Sequence, residues 1–328
     1  MESAYFQGII GHGAIKKRLQ QLMERDRLPH AMIFAGPAGV GKTLMACAVA
    51  SAVTGRTVFE RREELTDVPV LSDRDEAYYV APVGAMLKVG QFRQLQSRLM
   101  LQGRTARRIC VIDHVETMNA EFANCMLKTL EEPPPGVCFI LITDQPSLLL
   151  PTIISRCAYI SFDPVSDEDM LQGLQQLRGG QASDYEQAVA WGGGIVSAVY
   201  AYLDGNGAEE ARQALLFLHT ISEHACPYAK WLSVSVDISD GAAMDIFRWI
   251  ALFLRDLAVL RSGADEHLLR LRQYRKDMME LLPYWPDAGI FTALQVMEEG
   301  MEALKRHVNV RLVWDYVCIR CIKAKGGM

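Results

Sequence analysis

The stretch from Gly36 to Thr43 reads GPAGVGKT and fits the phosphate-loop pattern G-x-x-x-x-G-K-[ST] at every position. An accidental match somewhere in a chain of this length has a probability of about one per cent. A strand-like apolar run precedes the loop and a small, apolar helical stretch follows it, which is the order that the motif requires. The sequence therefore predicts an α/β nucleotide-binding domain with a parallel sheet.

Each residue type in this loop has a physical role. The glycines let the backbone curl around phosphate groups, so that amide N–H groups and a helix N-terminus face the negative charge. Lys42 reaches the β- and γ-phosphates, and the hydroxyl of Thr43 ligates Mg²⁺. We expect ATP or ADP with Mg²⁺ to be bound by Gly36, Gly39, Val40, Gly41, Lys42 and Thr43.

Composition limits the other functions that the chain can have. Its 328 residues, half of them hydrophobic, suffice for two or three domains. No apolar run approaches the roughly 20 residues of a membrane span, and the start lacks a signal pattern, so we expect a cytoplasmic protein without membrane contact. The formal net charge of −5 argues against a surface that grips nucleic acid unaided.

The eight cysteines mostly stand singly in apolar segments, as buried thiols do in a reducing compartment. Cys318 and Cys321 form one C-x-x-C pair, but a structural zinc ion needs four ligands and no second pair is present. We therefore expect neither disulfides nor a metal other than Mg²⁺.

Strand-like apolar runs alternate with helical segments up to residue 162, which favours a parallel sheet with helices on both faces. They span residues 31–35, 78–80, 109–113, 138–143 and 158–162, and residues 55–77 form a charged, exposed excursion. Beyond them the pattern is helical, including residues 242–260, 266–282, 291–305 and 310–322. We predict a P-loop domain over 1–163, a small helical lid over 164–206 and an all-helical domain over 207–328.

The apolar run that ends in Asp113 supplies the second element of a nucleotide-hydrolysing site. Such a strand usually ends in Asp, which supports Mg²⁺, followed by Glu, which orients the attacking water. Here His114 stands where that Glu is expected. Imidazole differs from a carboxylate in geometry, and Mg²⁺ and Lys42 would weaken its basicity. We expect nucleotide hydrolysis to be impaired.

Several further stretches resemble bacterial clamp-loader subunits of the AAA+ family, most closely the delta-prime class of DNA polymerase III. They are IIGH at residues 9–12, LPHA at 28–31, NCMLKTLEEPP at 124–134 and LPTIISRC at 150–157. The resemblance covers the first two predicted domains. It implies an AAA+ domain, a helical lid and a helical collar domain through which subunits form a ring.

The resemblance also implies roles for individual residues. Arg156 becomes an arginine finger that projects into the ATP site of a neighbouring subunit, where a permanent planar cation stabilises charge on the γ-phosphate. Thr143 becomes the sensor of the γ-phosphate. Ile9 and Ile10 become the segment against adenine, although plain core burial explains these two residues nearly as well.

Departures from the family pattern point to a subunit with weak or no ATPase activity of its own. Active motor subunits place Arg or Lys after the glycine-rich turn of the lid, where this chain offers Ser197. Many relatives carry a four-cysteine zinc module, but residues 55–77 contain no cysteine, so zinc should be absent. A basic group of Arg104, Arg107 and Arg108 fits a solvated loop better than a DNA contact.

These observations suggest a delta-prime-like stator that donates Arg156 while a heteromeric clamp loader places the sliding clamp on primed DNA. Its expected partners are the motor subunit gamma/tau, the delta subunit, the clamp and, through the assembly, DNA. One alternative is an active gamma/tau-like ATPase in which Glu116 or a residue from elsewhere replaces the missing Glu; fast hydrolysis without partners would favour it. Another is a small-molecule kinase, which leaves the collar-like domain unexplained.

Overall fold

A computed structural model of the chain describes residues 4–55, 77–84, 86–99, 107–205, 207–223, 227–234 and 239–325. Within them the chain divides into two units, residues 1–185 with 193–197, and residues 186–192 with 198–328. The division between P-loop, lid and collar domains at residues 163 and 206 remains a prediction. No helix in the described ranges is both long enough and apolar enough to cross a membrane.

The first unit contains one five-stranded parallel sheet with the strand order β2-β3-β4-β1-β5. The strands are β1 (Ala31–Ala35), β2 (Ala77–Val80), β3 (Arg108–Ile112), β4 (Val137–Thr143) and β5 (Ala158–Ser161). The first four strands are almost wholly buried, which is why each reads as a continuous apolar run rather than an alternating one. The predicted parallel sheet is confirmed.

Helices cover both faces of this sheet. The helices of the first unit are α1 (Gly13–Glu24), α2 (Lys42–Thr54), α3 (Val89–Leu99), α4 (Ala120–Glu131), α5 (Pro151–Ile154) and α6 (Asp167–Arg178). Phe92 of α3 and Phe122 of α4 join alternate strand residues such as Ile33 and Leu141 in one core cluster, and α2 contacts β3 and β4 from the opposite face. Because β1 lies between β4 and β5, the loop after β1 opens at the point where the strand order reverses, where α/β sheets bind their ligands.

The second unit is helical, as the sequence predicts. It contains α7 (Glu186–Gly192), α8 (Val196–Asp204, which begins in the first unit), α9 (Gly207–Glu223), α10 (Pro227–Val234), α11 (Asp240–Arg261), α12 (Arg275–Leu281), α13 (Asp287–Lys305) and α14 (Val310–Ala324). The central helix α11 packs against α9 and α13, and α13 packs against α14. Buried aromatic side chains fill the core between them, including Trp231, Trp249, Trp285 and Trp314.

The continuous helical pattern predicted over residues 266–282 is wrong in its first half. Two 3-10 turns, Glu266–Leu268 and Arg272–Tyr274, precede α12. The fully buried carboxylate of Asp256 accepts hydrogen bonds from the backbone N–H groups of Arg270 (2.9 Å) and Leu271 (2.7 Å). These two amides therefore bond to a side chain, which gives the backbone an alternative to the helical ladder.

Candidate nucleotide-binding site

The phosphate loop connects β1 to α2 and depends on backbone conformations that suit glycine. Gly39 has φ +75° and Gly41 has φ +111°, both in the left-handed region. A Cβ atom on Gly39 would lie 1.8 Å from the hydroxyl oxygen of Ser197, whereas one on Gly41 would meet no heavy atom within 4 Å. The loop is thus closely covered at Gly39 and open at Gly41, directly before the N-terminus of α2 at Lys42. This open cradle fits a phosphate group.

The ammonium group of Lys42 is held by three acceptors. Its Nζ donates to the carbonyl oxygens of Gly36 and Pro37, at 2.7 Å each, and to Oδ1 of Asp144 at 2.6 Å. The Lys42 side chain is only 4% exposed, while that of Asp144 is 23% exposed. An ammonium has three hydrogens, so each has a partner and the charge is fixed within the loop.

Asp113 and Thr43, the two residues predicted to hold Mg²⁺, are hydrogen-bonded to each other. Thr43 Oγ1 donates to Asp113 Oδ2 at 3.1 Å, and the Tyr79 hydroxyl donates to the same oxygen at 2.6 Å. The backbone N–H of His114 donates to Asp113 Oδ1 at 2.9 Å. Carboxylate and hydroxyl oxygens are the hard ligands that Mg²⁺ prefers, so the residues present fit the cation that accompanies a nucleotide.

His114 is held by Glu116 beside this pair. Its backbone has a left-handed φ of 52°, and its Nδ1 lies 3.0 Å from Glu116 Oε1 and 3.9 Å from Asp144 Oδ2. The bond to Glu116 raises the pKa of His114 above the usual histidine value, against an opposing effect of burial; Asp113 and Asp144 add to the rise. The carboxylates of Glu116, Asp113 and Asp144 thus favour the protonated ring, whereas the weakened basicity expected from the sequence applies to a site that holds Mg²⁺.

Glu116, the residue weighed as a replacement catalytic carboxylate, is turned toward His114. Its side chain is only 7% exposed. Burial raises its pKa, but the polar groups of His114 and Thr143 outweigh that effect and leave the pKa below its usual value. Its Oε2 atom is buried and has no hydrogen-bond partner in the part of the chain that the structure describes.

Thr143 ends β4 at the same edge of the sheet. It pairs with Ala35 in the register of β1 and β4, and its carbonyl oxygen accepts a hydrogen bond from the N–H of Gly36 at 3.3 Å. Its hydroxyl accepts from the N–H of Gln145 at 3.1 Å and is fully buried. Thr143 is thus joined directly to the start of the phosphate loop, and its role as a sensor remains a prediction.

Ile9 and Ile10 are buried, at 7% and 4% exposure. The carbonyl oxygen of Ile9 accepts a hydrogen bond from Lys16 at 2.7 Å, and Ile10 lies close to Gly173 of α6. This placement agrees with core packing as well as with a wall beside adenine, so both interpretations of this segment stay open.

Ser197, in the first turn of α8, contacts the phosphate loop. Its N–H donates to the carbonyl oxygen of Gly39 at 3.0 Å, within the first unit. At this position the chain offers a hydroxyl and an amide where motor subunits are expected to place a cation.

Arg156 follows α5 on the surface of the first unit. Its guanidinium donates to Glu131 Oε1 of α4 at 2.7 Å and to the carbonyl oxygen of Thr152 at 3.0 Å. The Arg156 side chain is 36% exposed and that of Glu131 is 52% exposed. The helix α4 ends at Glu131 because three prolines begin two residues later, and this ending places the carboxylate beside Arg156.

The remaining basic and thiol groups lack features of a site within the described residues. Arg107 pairs with Asp26, and Arg108 donates to the carbonyl oxygen of Leu99. Burial raises the pKa of Cys321 to about 12, as expected for an inert core thiol. Arg104 and most of the charged segment 55–77 lie outside the described residues.

Sequence reasoning missed Asp144, Tyr79 and Glu131 as partners of site residues. Asp144 directly follows Thr143 at the carboxyl end of β4, so its position after a strand was an available signal. Tyr79 was not detectable, because its contact with Asp113 depends on the pairing of β2 with β3. Glu131 lies in the stretch 124–134 that resembles clamp-loader subunits, but its contact with Arg156 joins residues 25 positions apart and cannot be read from the sequence.

Comparison with known proteins finds relatives of this chain among the subunits of DNA polymerase III. Residues 11–166 match the family model described as DNA polymerase III, delta subunit. The subunit delta-prime of DNA polymerase III from Bacillus subtilis is 33% identical over 156 residues, which are 46% of this chain and 47% of that protein. The subunit tau from the same organism is 27% identical over 308 residues, covering 92% of this chain and 52% of that protein.

The chain thus spans about half the length of these curated relatives. Among solved structures, a gamma subunit-related protein of DNA polymerase III from Thermotoga maritima superposes with a TM-score of 0.49 and 15% identity, covering 94% of this chain and 99% of that one.

Proposed function

We propose that this chain belongs to the clamp-loader AAA+ family and works in it as a delta-prime-like stator subunit. In this role it donates Arg156 to the ATP site of a neighbouring motor subunit of the gamma/tau kind. The delta subunit, the sliding clamp and, through the assembly, primed DNA complete the set of partners. Residues 207–328 serve as the collar that joins the ring.

The observation that carries the proposal is the state of Arg156. Its guanidinium bonds to Glu131 and Thr152, outside the phosphate loop of its own subunit. Both members of the ion pair are partly exposed, and such surface pairs contribute about 0–1 kcal/mol. A γ-phosphate on a neighbouring subunit can therefore replace Glu131 as the partner of the guanidinium with little loss of free energy. Before that exchange, the ion pair with Glu131 fixes the position of the Arg156 side chain.

The subunit's own pocket supports nucleotide binding better than hydrolysis. The open cradle at Gly41 and the charge of Lys42 suit the phosphates, and Thr43 with Asp113 would hold the Mg²⁺ that neutralises them. His114 stands at the position of the water-orienting Glu, and Ser197 at the position of the lid cation. Tight binding with slow turnover is the expected behaviour, because the cradle does not depend on either missing group.

Reconstitution with the motor and delta subunits tests the proposal. We expect Arg156→Ala to slow hydrolysis at the neighbouring ATP site by about a thousandfold or more, since arginine fingers contribute that much to phosphoryl transfer, and so to lower the clamp-stimulated ATPase rate of the complex severely. Lys42→Ala should have a mild effect, because it acts in a pocket that does not turn over. Arg248→Ala, which removes an exposed ion-paired arginine elsewhere, serves as the control. The reverse ranking of the first two variants would contradict the stator role.

The assembled loop also supports a second candidate, an active gamma/tau-like ATPase. Lys42, Thr43 and Asp113 are all in place for Mg²⁺-nucleotide, which is the observation in its favour. This candidate predicts hydrolysis at several turnovers per second by the isolated chain, abolished by Lys42→Ala. The stator role predicts a negligible rate in that assay.

A further inference from the structure

Three side chains that can each ligate a metal ion converge beside the phosphate loop. His114 and Glu116 come from the segment after β3, and Asp144 comes from the end of β4. We propose that these three residues bind a divalent transition-metal ion, for which Zn²⁺ is the best fit. This site is distinct from the Thr43 and Asp113 pair, and its existence does not depend on the stator role.

The distances between the donor atoms suit a single small cation. His114 Nδ1 lies 3.0 Å from Glu116 Oε1 and 3.9 Å from Asp144 Oδ2, and the ligand atoms of all three residues lie within 4.8 Å of one another. Bonds from Zn²⁺ to nitrogen or oxygen are about 2.0–2.2 Å long, so neighbouring ligand atoms stand about 3–3.5 Å apart. Small rotations of the carboxylates would therefore complete the site.

Glu116 gives an independent reason to expect a cation. Its side chain is 93% buried, since only 7% is exposed, and Oε2 has no hydrogen-bond partner within the described residues. A buried carboxylate oxygen without a partner is unfavourable, and a coordinated cation satisfies it directly. Oε1 of the same carboxylate lies 3.0 Å from the His114 ring, so a cation bound by both oxygens of Glu116 would lie beside that ring.

The backbone holds the histidine ring in place before any cation binds. His114 has a left-handed φ of 52°, which is uncommon outside glycine and clusters at functional sites. The hydroxyl of Thr117 donates to the His114 carbonyl oxygen at 2.7 Å and supports this conformation. The ring itself is 48% exposed, which leaves an entry path and open coordination positions for water.

The negative charge of the cluster favours cation binding, and the presence of an imidazole ligand decides which cation fits best. The carboxylates of Glu116 and Asp144 lie beside the ring of His114. Lys42 neutralises part of their charge by bonding to Oδ1 of Asp144, and Oδ2 of Asp144 is left to bind a cation. An imidazole ligand suits Zn²⁺ and its transition-metal neighbours, whereas Mg²⁺ prefers oxygen ligands alone. The sequence expectation of no zinc considered cysteine pairs, and this site contains none.

Co²⁺ is a suitable probe, because its visible absorption reports the ligands and Zn²⁺ competes for the same sites. The full chain, treated with a chelator and free of nucleotide, is titrated with Co²⁺ in the presence of excess Mg²⁺. We expect the visible absorption typical of Co²⁺ with a low coordination number. This absorption should saturate at one equivalent of Co²⁺ per chain and disappear when Zn²⁺ is added. Glu116→Gln and His114→Ala should each weaken Zn²⁺ binding at least about tenfold, since even residues behind the ligands change affinity by that much.

The matched control is His267→Ala, which removes an exposed histidine that also lies 3.9 Å from an aspartate, Asp265. It should bind Zn²⁺ as the unmodified chain does. Circular dichroism confirms that each variant is folded, and Asp144→Asn provides a third ligand change if one of the others is not. Wild-type affinity in all folded ligand variants would overturn the proposal. Thiolate charge-transfer bands, or only the spectrum of hydrated Co²⁺, would overturn it as well.

Discussion

The hydroxyl of Tyr79 is predicted to stabilise the edge of the sheet where Thr43 and Asp113 would hold Mg²⁺, and Tyr79→Phe tests this prediction. The change removes one oxygen and leaves the ring, so packing in β2 is preserved. Tyr79 donates to Asp113 Oδ2 at 2.6 Å, and both residues are only 6% exposed. A buried hydrogen bond to a charged group contributes about 1.5–3 kcal/mol to the free energy of unfolding.

The expected loss lies at the lower end of this range. Asp113 Oδ2 keeps its bond from Thr43 at 3.1 Å, and Oδ1 keeps its bond from the N–H of His114 at 2.9 Å. The carboxylate of Asp113 therefore loses one of these three hydrogen bonds and keeps the other two. We expect a loss of about 1.5–2 kcal/mol. For a unit of this size the melting temperature should fall by roughly 3–8 °C.

Thermal and urea unfolding of the purified chain measure this loss. Tyr159→Phe in β5 is the control, because that side chain is 43% exposed and its hydroxyl should contribute within about 0.5 kcal/mol. If Tyr79→Phe unfolds within the same margin of the unmodified chain, the hydrogen bond to Asp113 does not stabilise this edge as described. Retained Mg²⁺-nucleotide binding in the variant would agree with the account, because Thr43 and Asp113 remain.

Three further predictions concern single side chains. Lys42→Ala should weaken ATP binding by about 10- to 100-fold in a fluorescent-nucleotide titration, the equivalent of one charge-assisted hydrogen bond, and unchanged affinity would contradict the assignment of the loop. Asp256→Ala should lower the free energy of unfolding by about 2–5 kcal/mol, because two backbone N–H groups lose their acceptor, and a near-neutral result would show that they find another. The pKa of His114, measured by NMR titration of the metal-free chain, should lie above that of a free histidine and fall in Glu116→Gln. The protonated ring is favoured in the folded state, so its stabilising effect is present below the free-histidine pKa and is lost as pH rises through the folded pKa.

Much of the fold follows from local sequence patterns. Buried parallel strands are continuous apolar runs, so their positions are visible in the sequence to within a residue or two. The phosphate loop is equally visible, because the glycines and Lys42 are adjacent in sequence and their spacing is fixed by the phosphates. The helical nature of the second unit follows from the spacing of its apolar residues.

Contacts between distant residues account for what the sequence does not predict. Lys42 meets Asp144 across 102 positions, and the register of separate strands decides that contact. The helical pattern over 266–282 fails because the buried Asp256 captures the backbone of residues 270 and 271. The direction of the pKa shift at His114 depends on Glu116 turning inward, which the order of residues alone does not reveal.

The central claim is that Arg156 serves an ATP site other than that of its own subunit. Electron cryomicroscopy of the reconstituted clamp loader with a non-hydrolysable ATP analogue tests it most directly. The account predicts that the guanidinium of Arg156 leaves Glu131 and lies within hydrogen-bond distance of the γ-phosphate on the neighbouring motor subunit. An Arg156 that stays paired with Glu131, away from every subunit interface and every nucleotide, would contradict it.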